Sequence, residues 1–388
     1  MRKKVAVMFG GKSVEHEVSI ISAVQAMEKF DVEKYEVLPV YMSRDNEFYY
    51  GEALRNLNEY RNIERLLSKC ERVVFTKNEG IVLMRRFPFQ NPSEEIITNV
   101  DLAFPIVHGT NVEDGILQGF LKTLDLPYVG CDVLSSAIGM DKHVMKVLLK
   151  AEGFPVLPCL MFTKRLHTDY EDIADKVENN YGFPTIVKPA TLGSSVGISI
   201  AEDRAGLLDS IQEAFLYAKK LIVEPAITQI QEINCSVLGD SDECIASECE
   251  EPINEHGFLS YADKYINGSK KLGASKGMKS LKRRIPAHIS DDERNTIRQI
   301  SCDVFKYLDC CGVVRIDYII DRSNNSIWLN EINTIPGSLA FYLWEPMGVS
   351  FSELIDRLVD ISEKRYANEK TTKYDCEAGL ISCVTKDA

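Results

Sequence analysis

A chain of 388 residues, 45% hydrophobic and 9% aromatic, is long enough for two or three packed domains and too apolar to stay disordered. Its formal net charge of −13 argues against a nucleic-acid or anionic-membrane partner, so an anionic ligand must meet a local basic cluster. Eleven cysteines, without CxxC pairs or a His-rich partner set, suggest neither a disulfide framework nor a zinc site and read as reduced thiols of a cytosolic protein.

The N-terminal Met1-Arg2-Lys3-Lys4 runs into a strand over 5–9 that is too short for a signal peptide or a membrane span, and Gly10-Gly11 breaks it, so a cytoplasmic location is expected. A helix follows with Val14, Val18 and Ile21 on one face, then a strand over 35–41, which makes a βαβ unit. The polar, mixed segment 42–100 reads as peripheral insertions. A second unit has a strand over 101–107, a helix over 115–124 carrying Ile116, Leu117, Phe120 and Leu121, and a strand over 126–129. Together these predict a parallel-sheet N-terminal domain, 1–134.

A central α+β domain, 135–222, is predicted from a helix over 140–149, strands over 185–189 and 198–200, and the glycine-rich loop between those strands. The third domain, 223–365, has predicted strands over 232–238 and 312–320 and helices over 291–307 and 351–361. It also holds a lid loop, 256–284, and a polar, aperiodic tail fills 366–388.

Strand period two places Val313, Arg315 and Asp317 on one face, and Leu329, Glu331 and Asn333 on one face of the next strand. The turn Arg322-Ser323-Asn324-Asn325 can fold these strands into a hairpin that gathers a guanidinium, two carboxylates and an amide, oxygen ligands of the kind that suit Mg²⁺. Spacing alone does not separate this from an ordinary cross-strand Arg–carboxylate pair. In the segment 188–197, Lys188 precedes a Gly-Ser-Ser-x-Gly loop that can close backbone N–H groups over phosphates; many such loops are plain turns. Between Gly257 and Arg284 lie eight Lys and Arg residues with Tyr261 and Tyr265, either a solvated face or a lid closing over an anion. Gly11-Lys12-Ser13 is too close to the preceding strand for a Walker A loop, and Gly10-Gly11 lacks the GxGxxG spacing of a dinucleotide fold.

Taken in order, these segments resemble the D-alanine:D-alanine ligase family of the ATP-grasp superfamily, from about residue 4 to 361. The motifs are Gly10-Gly11-Lys12-Ser13-Val14-Glu15-His16-Glu17-Val18-Ser19, His108-Gly109 with Glu113-Asp114-Gly115, Met140-Asp141-Lys142 and the Lys188 loop. They continue with Glu232-Ile233-Asn234, Lys264-Tyr265, Arg315-Ile316-Asp317 and Asn330-Glu331-Ile332-Asn333-Thr334. The resemblance implies an α/β, three-domain ATP-grasp fold, with a Rossmann-like N-terminal domain and two α+β domains enclosing ATP. It implies Lys142 and Lys188 on the phosphates of ATP, Glu224 and Glu232 near adenine and ribose, Ser194, Ser195, Ile227 and Lys264 as further ATP-binding residues, and two Mg²⁺ ions, with Mn²⁺ as an alternative, on Asp317, Glu331 and Asn333. Glu15 would bind the first D-alanine's ammonium and form a hydrogen-bonded set with Ser194 and Tyr265. His108 and Gly337 would sit beside the substrate, and Arg315 would stabilise the charge that develops when an acyl phosphate is attacked. Outside this motif, Glu15 reads as a helix-dipole carboxylate and His108 as a structural histidine.

The sequence leaves the family pattern after Pro336-Gly337, where 338–346 replaces Met-Thr-x-x-Ser-Leu-x-Pro. By register, Tyr342 falls where the family has a serine on the acceptor carboxylate, and Leu343 where the acceptor side chain is bounded. The leucine resembles D-alanine-accepting enzymes, and Lys264-Tyr265 favours an amine acceptor over lactate. Alternatives are a D-alanine:D-serine ligase, another ATP-grasp amino-acid ligase and a non-catalytic nucleotide-binding homologue. The family pattern further implies a cytoplasmic homodimer whose partners are D-alanine and ATP, serving peptidoglycan synthesis.

Overall fold

The computed structural model describes residues 2–89, 95–194, 196–253 and 283–373, and its strands form three sheets. The first sheet starts at β1 (Lys3–Gly10), whose Val5 to Phe9 run is fully buried, as a strand covered on both faces requires. Helix α1 (His16–Met27) leads to β2 (Tyr35–Met42), which pairs with β1 in parallel. The helix face differs from the expected one. Val14 precedes the helix and is exposed, Ile21 is exposed, and the buried stripe is Val18, Ile20, Ala23, Val24 and Met27.

The segment expected to be insertions builds more than half of this sheet. Strands β3 (Phe48–Tyr50), β4 (Glu71–Asn78), β5 (Ile81–Arg86) and β6 (Ile96–Val100), with the short helix α2 (Ile63–Leu67), extend it antiparallel, and β7 (Leu102–Ile106) closes the other edge beside β1. The order β6-β5-β4-β3-β2-β1-β7 is therefore mixed rather than parallel. Val73, Phe75, Val82 and Met84 alternate inward, but the residues between them, Val74 and Leu83, are themselves apolar and half-buried, which blurs the alternation in the sequence. Residues 126–129 contribute a single bridge, between Tyr128 and Ala103.

Helix α3 (Ile116–Thr123) buries Leu117 and Leu121 but exposes Ile116 and Phe120. The helix expected over 140–149 is two, α4 (Val133–Met140) and α5 (Lys142–Ala151), because Asp141 takes an extended conformation and caps α5, its carboxylate accepting from the His143 and Val144 N–H groups at 3.1 Å. The second sheet, β10-β9-β11-β8, is antiparallel and made of β8 (Leu160–Thr163), β9 (Thr185–Pro189), β10 (Ser199–Ala201) and β11 (Lys220–Pro225). Its apolar face packs on α6 (Tyr170–Asn180) and α7 (Arg204–Tyr217) through Phe162, Ile173, Val177, Leu207, Ile211 and Phe215.

The third sheet has the order β14-β13-β12-β15-β16, from β12 (Ile230–Gly239), β13 (Cys244–Pro252), β14 (Arg283–Arg284), β15 (Gly312–Asp321) and β16 (Ser326–Asn333). Helix α8 (Asp291–Tyr307) covers it and starts at a Ser290–Glu293 capping box. Arg283 and Arg284, expected in the lid loop, instead form β14 against Pro252 and Glu251. Helix α9 (Phe351–Glu369) extends past the expected end at 361. Arg365 donates to the carbonyls of Tyr128 (2.6 Å) and Gly130 (2.5 Å), and Tyr366 donates to the Asp125 carbonyl at 2.8 Å, so the first residues of the expected tail are a docked helix. The remaining tail, 374–388, lies outside the described residues. Among the described residues, no helix is long and apolar enough to cross a membrane.

Candidate active site

The hairpin β15–β16 forms as expected, with Asn325 in the left-handed region at its turn (φ 59°). A bulge changes its faces. Asp317 pairs with Glu331 but Tyr318 pairs with Leu329, so Asn330 is the extra residue and the parity of β16 flips there. Leu329 consequently joins the core, while Glu331 and Asn333 stay beside Asp317 and Arg315. Across the sheet, Glu250, Asn234, Asp317 and Glu331 form one cross-strand row. Arg315 grips Asp317 with two hydrogen bonds (2.6 and 2.7 Å), and Asn333 Nδ2 donates to Asp317 at 3.1 Å. Burial opposes the Arg315 charge, but the adjacent Asp317 carboxylate outweighs it and holds the guanidinium ionised.

The central domain faces this row with buried lysines. Lys142, at the start of α5, donates to the Leu192 carbonyl at 2.8 Å and reaches Glu331 at 3.2 Å. Lys188, on β9, donates to Glu224 (2.6 Å) and to Asn330 Oδ1 (3.0 Å), the residue that the bulge turns toward it. Lys146, one helical turn beyond Lys142, pairs with the other oxygen of Glu224 at 2.7 Å. Burial would raise the Glu224 carboxyl, but Lys146 and Lys188 overcome it and hold it down at about 2. Glu224, expected near adenine and ribose, has its carboxylate fully buried and engaged by two ammonium groups. Glu232 is half-buried on β12 opposite Ile319. Ile227 lines a cavity of about 440 Å³ with Leu157, Pro225, Ala226 and Trp328, at the end of β11 and beside the β15–β16 turn.

The third wall is the turn after β1. Gly10 and Gly11 adopt φ of 94° and 90°, His16 bonds the Gly11 carbonyl at 2.6 Å, and Ser19 ties Gly10 N–H to the Ile106 carbonyl. These contacts fix Glu15 at the start of α1, where its side chain makes no helix cap but accepts a hydrogen bond from the Ser194 hydroxyl of the glycine-rich loop. Gly193 permits the approach, since a Cβ there would lie 2.9 Å from Glu15 Oε2. Glu113 accepts from the N–H groups of Gly109 and Ile335, both at 2.9 Å, and burial, with Glu15 nearby, pushes its carboxyl up to about 8. Burial pushes His108 down to about 4, so it is neutral, with Nδ1 donating to the Ile335 carbonyl (2.9 Å) and Nε2 accepting from Ser22 (3.2 Å). His108 thus has both nitrogens committed to the protein and clamps the loop that follows β16.

That loop continues into a 3₁₀ turn, Gly337–Leu343, in which Ser338, Leu339 and Ala340 have φ of 50°, 55° and 49°. Three consecutive left-handed residues cost roughly 1–2 kcal/mol each. Burial of residues 338–344, the Phe341–Phe351 stack at 4.5 Å and the Ser338–Gln25 hydrogen bond at 2.9 Å offset that cost. Gly337 is the one partly exposed residue of 334–344. Leu343, expected to bound the acceptor, is 0% exposed and belongs to the core. Tyr342 is buried with its ring under the Arg283 guanidinium at 3.8 Å. Lys264, Tyr265 and Ser195, the remaining expected site residues, lie outside the described residues.

A metal fits the row by donor chemistry. Asp317 and Glu331, with side chains 14% and 20% exposed, face one another beside the Asn333 amide, and hard cations such as Mg²⁺ take two carboxylates and an amide with phosphate oxygens completing the shell. Among the described residues, no group of three or more His, Cys, Asp or Glu gathers at one point, so a softer, self-sufficient metal cage is not formed. Lys146 and Glu250 were not singled out from the sequence, though Lys146, four residues from Lys142 on one helix, carried a readable signal; Glu113 was read only as a motif member and Arg283 only as part of the basic run.

Residues 4–131 match the family model for the D-ala D-ala ligase N-terminus, and residues 148–360 match that for the D-ala D-ala ligase C-terminus. The D-alanine–D-alanine ligase of Caldicellulosiruptor bescii is 39% identical over 383 residues, covering 96% of this chain and 99% of its own, and that of Thermosipho melanesiensis is 36% identical over 371 residues, covering 96% of each. Among solved structures, the D-alanine–D-alanine ligase from Coxiella burnetii superposes with a TM-score of 0.76 at 28% identity over 99% of both chains. The VanG D-Ala:D-Ser ligase from Enterococcus faecalis gives 0.75 at 32% identity, covering 93% of this chain and 100% of that one. With both halves matched in order and relatives above 30% identity along almost its whole length, the chain belongs to the D-alanine–D-alanine ligase family.

Proposed function

We propose that this chain is an ATP-dependent D-alanine:D-alanine ligase that supplies the dipeptide for peptidoglycan synthesis. The observation that carries the reading is the facing of Lys142 and Lys188 against the Arg315, Asp317, Glu331 and Asn333 row, with the Glu15–Ser194 pair at a third side. The cavity lined by Ile227 and Trp328 takes the adenine and Glu232 the ribose, while Lys142, Lys188 and Ser194 hold the phosphates. Glu224 acts at one remove, orienting Lys188. Asp317, Glu331 and Asn333 would hold Mg²⁺, two ions with Mn²⁺ able to replace them, a site that would supply charge neutralisation to the transferring phosphate.

Glu15 orients the first D-alanine by its ammonium, so that its carboxylate oxygen attacks the γ-phosphorus and ADP leaves. The second amine then attacks the acyl phosphate carbonyl, Arg315 stabilises the tetrahedral oxyanion, and phosphate departs as the amide forms. Lys264 and Tyr265 serve as the lid. The enzyme works in the cytoplasm as a homodimer, which its mass in solution tests.

ADP release with D-alanine alone, with the product identified by mass, tests the reading; no release would end it. A D-serine acceptor is the second reading, favoured by the 32% identity to the VanG D-Ala:D-Ser ligase and by the departure at 338–344. Faster ADP release with D-alanine plus D-serine would select it.

A further inference from the structure

Helix α8 and strand β13 meet through a regular ladder. Arg294 Nε pairs with Glu248 at 3.3 Å, and Arg298, one helical turn later, donates to the Ala246 carbonyl at 3.1 Å. Four residues of helix advance about 6 Å and two residues of strand about 6.6 Å, so the spacings match and the next rung brings Cys302 to Cys244. There the two thiols hydrogen-bond each other, and Cys244 Sγ lies 3.9 Å from the Cys302 carbonyl oxygen. Both partners are held in place. Cys244 follows the β12–β13 turn, where the Asp240 carboxylate accepts from the N–H groups of Asp242 and Glu243 at 3.0 and 2.9 Å, and Ser301, beside Cys302, bonds the Tyr318 hydroxyl at 2.8 Å. Two further thiol pairs occur among the described residues, Cys131 with Cys310 and Cys235 with its cross-strand neighbour Cys249. All four of those cysteines are buried, whereas Cys244 and Cys302 are both partly exposed and open to a small reagent.

We propose that Cys244 and Cys302 form a site of oxidative modification, a dithiol that hydrogen peroxide closes into a disulfide stapling α8 to the sheet it covers. Burial raises both thiols, Cys302 to about 12, while at Cys244 the Cys302 hydrogen bond and Lys306 offset part of the rise against Asp240 and Asp303. The pair therefore rests reduced, reacts slowly, and attacks through Cys244. The Cys244 thiolate breaks the peroxide O–O bond, leaving a sulfenic acid and hydroxide. The Cys302 sulfur then attacks Cys244, the S–O bond breaks, and the departing hydroxide takes the Cys302 proton as water. Two thiols and one hydrogen peroxide thereby give one disulfide and two waters, the sulfurs losing the two electrons that the peroxide gains. The link joins residues 58 positions apart, which restricts the unfolded chain and stabilises the C-terminal domain under oxidising conditions.

The test treats the full, folded chain with hydrogen peroxide, maps its peptides by mass and follows its thermal midpoint. Peptide mapping should find Cys244 joined to Cys302, with the buried pairs Cys131–Cys310 and Cys235–Cys249 still reduced. The midpoint should rise by roughly 5 °C and fall back when a dithiol reductant is added. Cys302→Ser should lose that rise and halt at the sulfenic acid, so that a sulfenic-acid-trapping dione labels Cys244. Cys244→Ser should also lose the rise, and both variants should unfold close to the reduced wild type, since each replaces a partly exposed thiol with a hydroxyl of similar size. A link between other cysteines, isolated sulfur acids at Cys244 and Cys302 with no link, or a linked protein whose midpoint does not rise overturns the staple. If a serine variant fails to fold, the wild-type map and midpoint decide the matter by themselves. None of these readouts depends on the ligase reading.

Discussion

Glu224 is a carboxylate made to serve as an anchor. With 0% exposure it could not stay ionised alone, yet Lys146 and Lys188 hold it so, and it in turn holds Lys188 against Asn330. Lys146→Met should therefore cost about 3 kcal/mol in a denaturation experiment, the range for breaking a buried pair, and should weaken ATP as Lys188 loses its fixed partner. The pH sign follows from the depressed carboxyl: the stability Glu224 contributes is present above the ordinary carboxylate range and is lost as pH falls toward about 2. His108 acts in the same sense from a higher start, its contribution being lost as pH falls from about 6.5 toward 4. Glu113 runs the other way, its protonated carboxyl adding stability as pH falls from about 8 toward 4.5, so the two groups oppose each other; in a Glu113→Gln variant, a stability profile that stayed flat between pH 7 and 4 would contradict the His108 clamp. From the sequence, Glu15 was readable only as a motif member; its bond with Ser194, from a loop 179 residues away, is what separates it from an ordinary helix-terminus carboxylate.

At the scale of elements, the break between α4 and α5 decides where Lys142 points. Asp141 caps α5 and also binds Lys220 at 2.6 Å, so Asp141→Ala should cost about 1 kcal/mol for the cap and, by loosening the first turn, raise the KM for ATP more than that for D-alanine. Hydropathy alone merged the two helices because Met140, Met145 and Leu149 continue one apolar pattern across the cap. The glycine-rich loop depends on Gly193: Gly193→Ala should place a methyl against Glu15, lowering kcat/KM for D-alanine while the thermal midpoint stays close to wild type. The β15–β16 hairpin was legible from alternation and turn residues, but its bulge was not, since an extra residue leaves no mark in a period-two pattern.

Over the whole molecule, the N-terminal sheet does not complete its core from its own residues. Ile335, Phe341, Trp344, Phe351, Leu354 and Leu358, from the far end of the chain, pack into the same cluster as Val7, Phe104 and Leu121, and Asp356 binds Lys34 and Tyr35. A fragment ending at residue 134 should therefore lack a cooperative thermal transition, and supplying residues 335–373 in trans should restore one; an independently folded fragment would refute this. The same arrangement packs the strained turn carrying Tyr342 into the N-terminal core.

What the sequence determined by itself was local and repetitive: the strand β1, the helix α8, the alternating Arg315 and Asp317 strand, and the order of motifs that marks the family. Each of these follows from side chains a few residues apart, where periodicity and capping chemistry act. Only the tertiary structure decided that segment 42–100 extends the first sheet, that Leu329 and Leu343 are core, and that Glu224 lies between two lysines. It also carried Arg283 from an expected lid to the Tyr342 ring. Those outcomes depend on burial and charge pairing between residues tens to hundreds of positions apart, and no local pattern encodes which partner a side chain meets.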